Sequence, residues 1–474
     1  MFETHTPGRC SGPMDRRNWL KLGALSFGAL SAGQALHLGQ LFAAERQTTI
    51  DPNFSVILFW ANGGPSHLET FDLKPEAPEG HRGPFRPTHT NIPGMDICEL
   101  FPRLATMADK YTILRNLHHE RAQHSGGTHR FLTGHSSRAA NLANSENPEI
   151  GSVVAKHLEG QQADIPLFVG NTQFYGGGPA YLGRANAPFM PYSNNPVSAS
   201  GNNVYDPISI YHPDDGRETI QLEVESPRRL RERSQLLQEF DRLRRKSESS
   251  PAQENLGGYQ RRAVDILLSG KTRAAFDLSR EPDRVQERYG RTHWGKSLLT
   301  CRRLVEAGVR FVQCQATYRL PADVGRTSNW DDHSVNSHIF DAYELKLPAL
   351  DYAMSALVED MYARGLDRHV LFIFCGEFGR TPRIRHQHTS KRPGRDHWPS
   401  AMSVFLAGGG LRMGQIIGAT NSRGEYPVQR AMDSNCLLAT IYHRFGINTT
   451  NTFEDFTGRP VHILPKGEVI RELL

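Results

Sequence analysis

Phe54-Ser55-Val56-Ile57-Leu58-Phe59-Trp60 is an apolar run with a single hydroxyl, and it breaks at Ala61-Asn62-Gly63-Gly64-Pro65. A short apolar run closed by turn residues reads as a buried strand. Four later stretches repeat the pattern: 165–169 ending at Gly170, 309–314, 369–375, and 402–406 before Gly408-Gly409-Gly410. Helical periodicity fills 298–307, stopping at Gly308, and 347–364, just ahead of the third and fourth strands. Strands separated by helices predict an α/β fold with a mostly parallel central sheet flanked by helices. Open sheets of this kind gather their sites beyond the carboxyl ends of the strands. Polar clusters follow several of the predicted strands here.

Outside that core, two segments differ in character. Asp15-Arg16-Arg17-Asn18-Trp19-Leu20-Lys21 precedes an uncharged stretch, 22–44, rich in Gly, Ala and Ser and interrupted by Gln34, His37 and Gln40. Paired arginines before a mildly apolar segment predict a twin-arginine signal peptide over 1–44, not a permanent membrane span. The expected partner is the twin-arginine export machinery, and the expected location is periplasmic or secreted. The remaining chain, 45–474, reads as one domain. A Gly- and Pro-rich then highly charged stretch at 176–251 reads as a peripheral insertion. With 55 basic against 50 acidic residues the net charge is only +5, which gives no case for nucleic-acid binding. The six cysteines form no Cys-x-x-Cys pair, so a zinc ribbon or thioredoxin-type site is not expected, and buried free thiols are.

Four clusters carry candidate chemistry. The first, 62–72, offers Asn62 with His67, Glu69 and Asp72 on a glycine turn. The second, Gln123-His124-Ser125-Gly126-Gly127-Thr128, suits an anion-binding helix start. There Ser125 or Thr128 is a candidate nucleophile, with a helix-capping role for Ser125 as the alternative. The third is Asn329-Trp330-Asp331-Asp332-His333-Ser334-Val335-Asn336-Ser337-His338. Burying two carboxylates and two imidazoles is costly unless they are paired or bind metal. These donors suit zinc, manganese, magnesium or calcium better than copper. The fourth joins Gly376-Glu377-Phe378-Gly379-Arg380-Thr381-Pro382 to Gly394-Arg395-Asp396-His397-Trp398-Pro399. Glu377 sits at a strand end and Asp396-His397 in the next loop. Arg380 and Arg395 are candidates for gripping phosphate, sulfate or carboxylate, and Arg380 is equally a candidate structural partner of Glu377.

The leader, the Gly-Gly-Pro-Ser-His step near residue 65, Gly-Glu-Phe-Gly-Arg-Thr-Pro at 376 and Gly-Arg-Asp-His-Trp-Pro at 394 together resemble a large bacterial family labelled domain of unknown function 1501. That family is placed in the alkaline phosphatase-like superfamily, with sulfatases and phosphomutases. The resemblance covers essentially the whole mature chain. It implies an alkaline phosphatase-like core with two metal subsites at the strand ends and a nucleophile on a helix start between them. Asn62 falls near the superfamily's first-strand aspartate. Thr133-Gly134 resembles the step that follows the sulfatase nucleophile, and counting back from it reaches His124 and Ser125. The pattern that formylglycine formation requires is absent from 124–128. Glu377-Phe378-Gly379 resembles the superfamily's Asp-His-Gly step with the histidine lost. Asp331 or Asp332, His333 or His338, and His397 resemble the other metal subsite.

The sequence therefore predicts a metal-dependent hydrolase of phosphate or sulfate esters. His124, Ser125 and Arg380 are the candidate catalytic residues, and Arg395 and Thr128 would hold an anionic small-molecule or glycan substrate. Asn62, Asp331, Asp332, His333, His338, Glu377, Asp396 and His397 are the candidate ligands of a divalent metal. The alternative is a non-catalytic exported protein whose degenerate site binds an anionic glycan or a partner protein.

Overall fold

Hydrogen bonding sorts the apolar runs into one eight-stranded sheet. In chain order its strands are β1 (Ser55–Trp60), β2 (Tyr111–His118), β3 (Phe168–Gly170), β4 (Phe311–Gln315), β5 (Val370–Cys375), β6 (Met402–Gly408), β7 (Gln415–Ile417) and β8 (Met432–Asp433). The spatial order is β7-β2-β6-β5-β1-β4-β3, with β8 also paired to β2. β1 lies parallel to both β4 and β5, with Trp60 opposite Gln315 and Cys375. β3 on β4 and both β7 and β8 on β2 are parallel as well. Only β6 runs antiparallel to its neighbours β2 and β5. This is the expected α/β architecture: a mostly parallel sheet flanked by helices.

All six residues of β1 are buried, as a central strand covered on both faces requires. Its alternation divides the core. Val56, Leu58 and Trp60 pack with residues of α1 (His124–Thr133), α2 (Ile150–His157) and α5 (Asn435–Phe445). Ile57 and Phe59 pack on the other face with α3 (His293–Ala307) and α4 (Ile339–Ala363). Each such side chain contributes roughly 1.5–3 kcal/mol on burial. The sheet is thus the middle layer of three. β1, β4 and β5 end on the same side, and β6, running the other way, begins there.

This computed structural model describes residues 50–142, 144–161, 165–170, 176–190, 269–326, 329–386 and 391–474. Asp51–Leu474 form one compact unit. The predicted signal peptide, 1–44, and most of the predicted insertion lie outside the described residues. Among the described residues no helix is long and apolar enough to cross a membrane. Cys98, Cys301, Cys314 and Cys375 are buried free thiols, and Cys436 is a partly exposed one.

One buried group is unfavourable as it stands. Glu149, which starts α2, is 1% exposed. Neither of its carboxylate oxygens has a well-formed hydrogen-bond partner among the described residues, and the same holds for the hydroxyls of Ser152 and Tyr442. Burial, only weakly offset by the backbone of Gly178, pushes its pKa up to about 8 from 4.5. The folded state therefore binds the proton more tightly than the unfolded state. Stability is full below pH 4.5 and falls as pH rises towards 8. At 1.36 kcal/mol per unit the penalty is about 3 kcal/mol at pH 7. Glu149→Gln is expected to raise the unfolding midpoint at pH 8 and to change it little at pH 4.5. An equal effect at both pH values would contradict this.

Candidate metal centre

Three loops meet beyond the ends of β1, β4 and β5, and Arg380 ties them together. Its guanidinium is fully buried. It donates to the carbonyl oxygens of Gly63, Gly64 (2.9 Å), Trp330 (2.8 Å) and Arg395 (3.0 Å), and to Asp331 Oδ1 (2.9 Å). The loops touch closely. A Cβ on Gly63, which has φ +104°, would lie 2.4 Å from Asp331 N, and one on Gly394 would lie 2.0 Å from Ser334 N. Glycine is required at both positions for the backbones to approach.

Three imidazoles surround Asp331, each held from behind at Nδ1. His124, the first residue of α1, sets Nδ1 2.7 Å from Glu377 Oε1. Glu377 is itself fixed by the Gly63 N–H, at 2.8 and 3.0 Å from its two oxygens. His333 Nδ1 lies 2.8 Å from Asp396 Oδ1, and His397 Nδ1 lies 2.6 Å from the Ala122 carbonyl oxygen. These partners only accept hydrogen bonds, so each Nδ1 carries the proton and each Nε2 is turned inward as a potential ligand. The inward nitrogens converge on one atom, Asp331 Oδ1: His124 Nε2 at 3.4 Å, His333 Nε2 at 3.0 Å and His397 Nε2 at 3.0 Å. His333 Nε2 and His397 Nε2 are 2.9 Å apart.

Lone pairs facing a carboxylate and one another repel unless a cation or proton lies between them. The electrostatics reflect this. Burial opposes a charge on His124, but Asp331 and Glu377 on either side outweigh it and raise its pKa to about 9. At His397 burial prevails over the hydrogen bond to Asp331, and the pKa falls to about 4. Burial also works against charge on Asp331, yet the three imidazoles and Arg380 hold its carboxyl far below the usual range. The ligand atoms of His124, Asp331 and His397 all lie within 4.8 Å of one another, a compact donor set. His333 flanks it, partly exposed as His397 is.

Other predicted site residues are committed elsewhere. Ser125 is fully buried and its Oγ accepts the Leu142 N–H at 2.8 Å. Thr128 is buried in α1 with no partner for its hydroxyl among the described residues. Arg395 is fully buried against Glu69 (2.6 Å) and the carbonyls of Thr381, Pro382 and His81. Asp332 turns away from Asp331 into a fully buried pair with Lys346, at 2.9 Å, and accepts from Ser337. His338 caps α4, 2.9 Å from Asp341. Asn62, half-buried at the end of β1, accepts the Trp330 N–H at its carbonyl. Glu69 and Asp72 brace loops, bonding to Arg395 and to Thr420 respectively. Glu377 and Asp396 stand behind histidines.

Sequence reasoning missed three contributors. The Ala122 carbonyl is invisible to side-chain patterns. Phe378, predicted only as a departure from a motif, walls the centre, its ring 4.3 Å from that of His397 and 5.5 Å from that of His124. Lys346 did leave a signal: it falls at a core position of the helical repeat through Ala342, Tyr343, Leu347 and Leu350, all buried. A cation there implies a buried anion.

A family model described as "Protein of unknown function (DUF1501)" matches residues 53–474. The chain belongs to this family. No curated protein matches it. The DUF1501 chain is similar to several solved structures. The PsFucS1 sulfatase from Pseudoalteromonas sp. is 10% identical, with 85% of this chain and 70% of that chain covered, at a TM-score of 0.38. The C-terminal periplasmic domain of EcEptC from Escherichia coli, solved with Zn, is 9% identical, with 84% of each chain covered, at 0.36. The alkaline phosphatase of the Antarctic bacterium TAB5 is 12% identical, with 83% and 98% covered, at 0.32. The fold described above rests on this chain's own strand pairing.

Proposed function

We propose that this protein is an exported, metal-dependent hydrolase of phosphate or sulfate esters. One observation carries the reading: three imidazoles, each anchored at Nδ1, aim Nε2 at a single carboxylate oxygen. Anchoring the far nitrogen of a ligand histidine is how proteins fix its tautomer and direction. His124, Asp331 and His397 would hold the ion. Two nitrogens and a carboxylate suit zinc or manganese better than magnesium or calcium, which take oxygen donors. Three protein ligands leave room for a substrate. A divalent ion on these donors supplies Lewis acidity towards an ester oxygen and acidifies water. Export by the twin-arginine route to the periplasm or beyond is supported by Arg16-Arg17 and the uncharged stretch behind them.

The chain's own residues supply the remaining chemistry. Arg380 fixes Asp331, and Glu377 fixes His124. His333, backed by Asp396, is partly exposed, as His397 is. We assign it to pass a proton at Nε2 between the centre and solvent because it stands beside the compact donor set of His124, Asp331 and His397. With Ser125 Oγ hydrogen-bonded to backbone, the reading takes water as the nucleophile. His333→Gln is expected to keep the metal and lower kcat on an aryl phosphate or sulfate at least ~100-fold, the lower range for general acid–base catalysis. Loss of the ion in that variant would make His333 a ligand and end its assignment to proton transfer.

The second reading, a non-catalytic binding protein, is favoured by one observation. Ser125 and Arg395, the expected nucleophile and anion clamp, are both buried and occupied by other partners. It predicts no turnover by metal-loaded protein on a broad ester panel.

A further inference from the structure

Beside the His333–Asp396 pair stands a hairpin whose charge the hydrolase reading leaves unused. Arg385–His386 pairs antiparallel with Pro393–Gly394, and the Ile384 N–H donates to the Gly80 carbonyl at 2.8 Å, fixing the hairpin to the domain. The sequence from 381 to 395 contains no Asp or Glu. Arg383, Arg385, His386 and Lys391 are exposed. Among the described residues neither Arg383 nor Lys391 pairs with a carboxylate.

Arg385 joins this edge to the candidate centre. Its Nε lies 3.0 Å from Asp396 Oδ2, and Asp396 Oδ1 takes the Nδ1–H of His333 at 2.8 Å. Like charges crowded on an exposed hairpin repel and bring the fold nothing. In a chain with a net charge of only +5 they form a local excess. A one-sign surface at the mouth of a site raises the local concentration of an oppositely charged ligand.

We infer that this edge seats the neighbouring charges of an extended substrate: a polysaccharide bearing repeated sulfate or phosphate esters, one at the centre and the next against Arg383 and Lys391. The inference rests on the hydrolase reading and extends it from an ester to a polymer. Single-stranded nucleic acid is disfavoured because the described part of the hairpin offers no Phe, Tyr or Trp on which successive bases can stack, only the single imidazole of His386. A membrane surface is disfavoured because Ile384, its one bulky apolar side chain, is half-buried.

The test is binding of full-length protein to fluorescent heparin fragments, phosphorylated mannan and oligothymidylate, read by anisotropy at low salt. The Arg383→Glu/Lys391→Glu variant is compared with the unaltered protein, with its unfolding midpoint checked. The expected result is binding of at least one polysaccharide, weakened about tenfold or more in the variant, as like-charge juxtaposition demands, with the midpoint unchanged. Which polysaccharide binds separates sulfate from phosphate. Undiminished polysaccharide binding by the variant, or oligothymidylate bound as tightly as either polysaccharide, would overturn the inference. Because binding is read without turnover, an inactive protein would refute the hydrolase reading while leaving this comparison intact.

Discussion

Asp331→Asn is expected to remove the metal ion and the turnover together, while Asp332→Asn next door keeps the ion and loses stability instead. The two carboxylates are adjacent in sequence and opposite in role. Asp331 Oδ1 is the point on which three imidazole Nε2 atoms and one Arg380 N–H converge. An amide there is a neutral, weaker donor. Affinity is expected to fall more than the ~10–100-fold typical of losing an outer partner of a metal ligand. Asp332 instead neutralises Lys346, and both side chains are fully buried. Removing one member of such a pair leaves an uncompensated buried charge and costs about 3–5 kcal/mol. Metal content by elemental mass spectrometry and urea unfolding of both variants check this. Two variants that both retain the ion, or both lose it, would contradict the assignment of Asp331.

Arg380→Met is expected to be the most destabilising single change near the centre. The substitution leaves four carbonyl oxygens, from three loops, without their shared donor, and Asp331 without its fixed cation. Each unsatisfied buried group costs about 1–3 kcal/mol. A loss of roughly 4 kcal/mol or more places the variant near the limit of what a folded domain tolerates. Arg380→Lys is expected to rescue little, since an ammonium lacks the planar fork that reaches several acceptors at once. Urea unfolding of both variants, with soluble yield as a second readout, tests this. A methionine variant within about 1 kcal/mol of the native protein would show that Arg380 is not the tie between the loops.

Five strands were legible because they are nearly continuous apolar runs closed by glycine or turn residues; the short β7 and β8 were passed over, and so was β2. Its sequence, Tyr-Thr-Ile-Leu-Arg-Asn-Leu-His, mixes polar and apolar residues, yet Thr112 and Asn116 are fully buried. The antiparallel direction of β6 is set by tertiary pairing, which no local pattern encodes. At the site, residue types pointed to the right loops but not to individual roles. Asp331 and Asp332 look equivalent in sequence, and Lys346, fourteen residues from Asp332, decides between them. Ser125 looked like a nucleophile because it stands beside a histidine at a helix start. The Leu142 N–H, which occupies its Oγ, comes from a loop that carries no motif. Arg380 and Arg395 looked like anion clamps, but each is saturated by buried acceptors brought in from distant loops.

The most direct measurement is the metal content per chain of purified protein by elemental mass spectrometry, for the unaltered chain, His397→Ala and His333→Gln. The account predicts one zinc- or manganese-class ion per chain, lost in His397→Ala and kept in His333→Gln. No ion after reconstitution with zinc, manganese, magnesium and calcium, or an ion held equally well without His397, would contradict it.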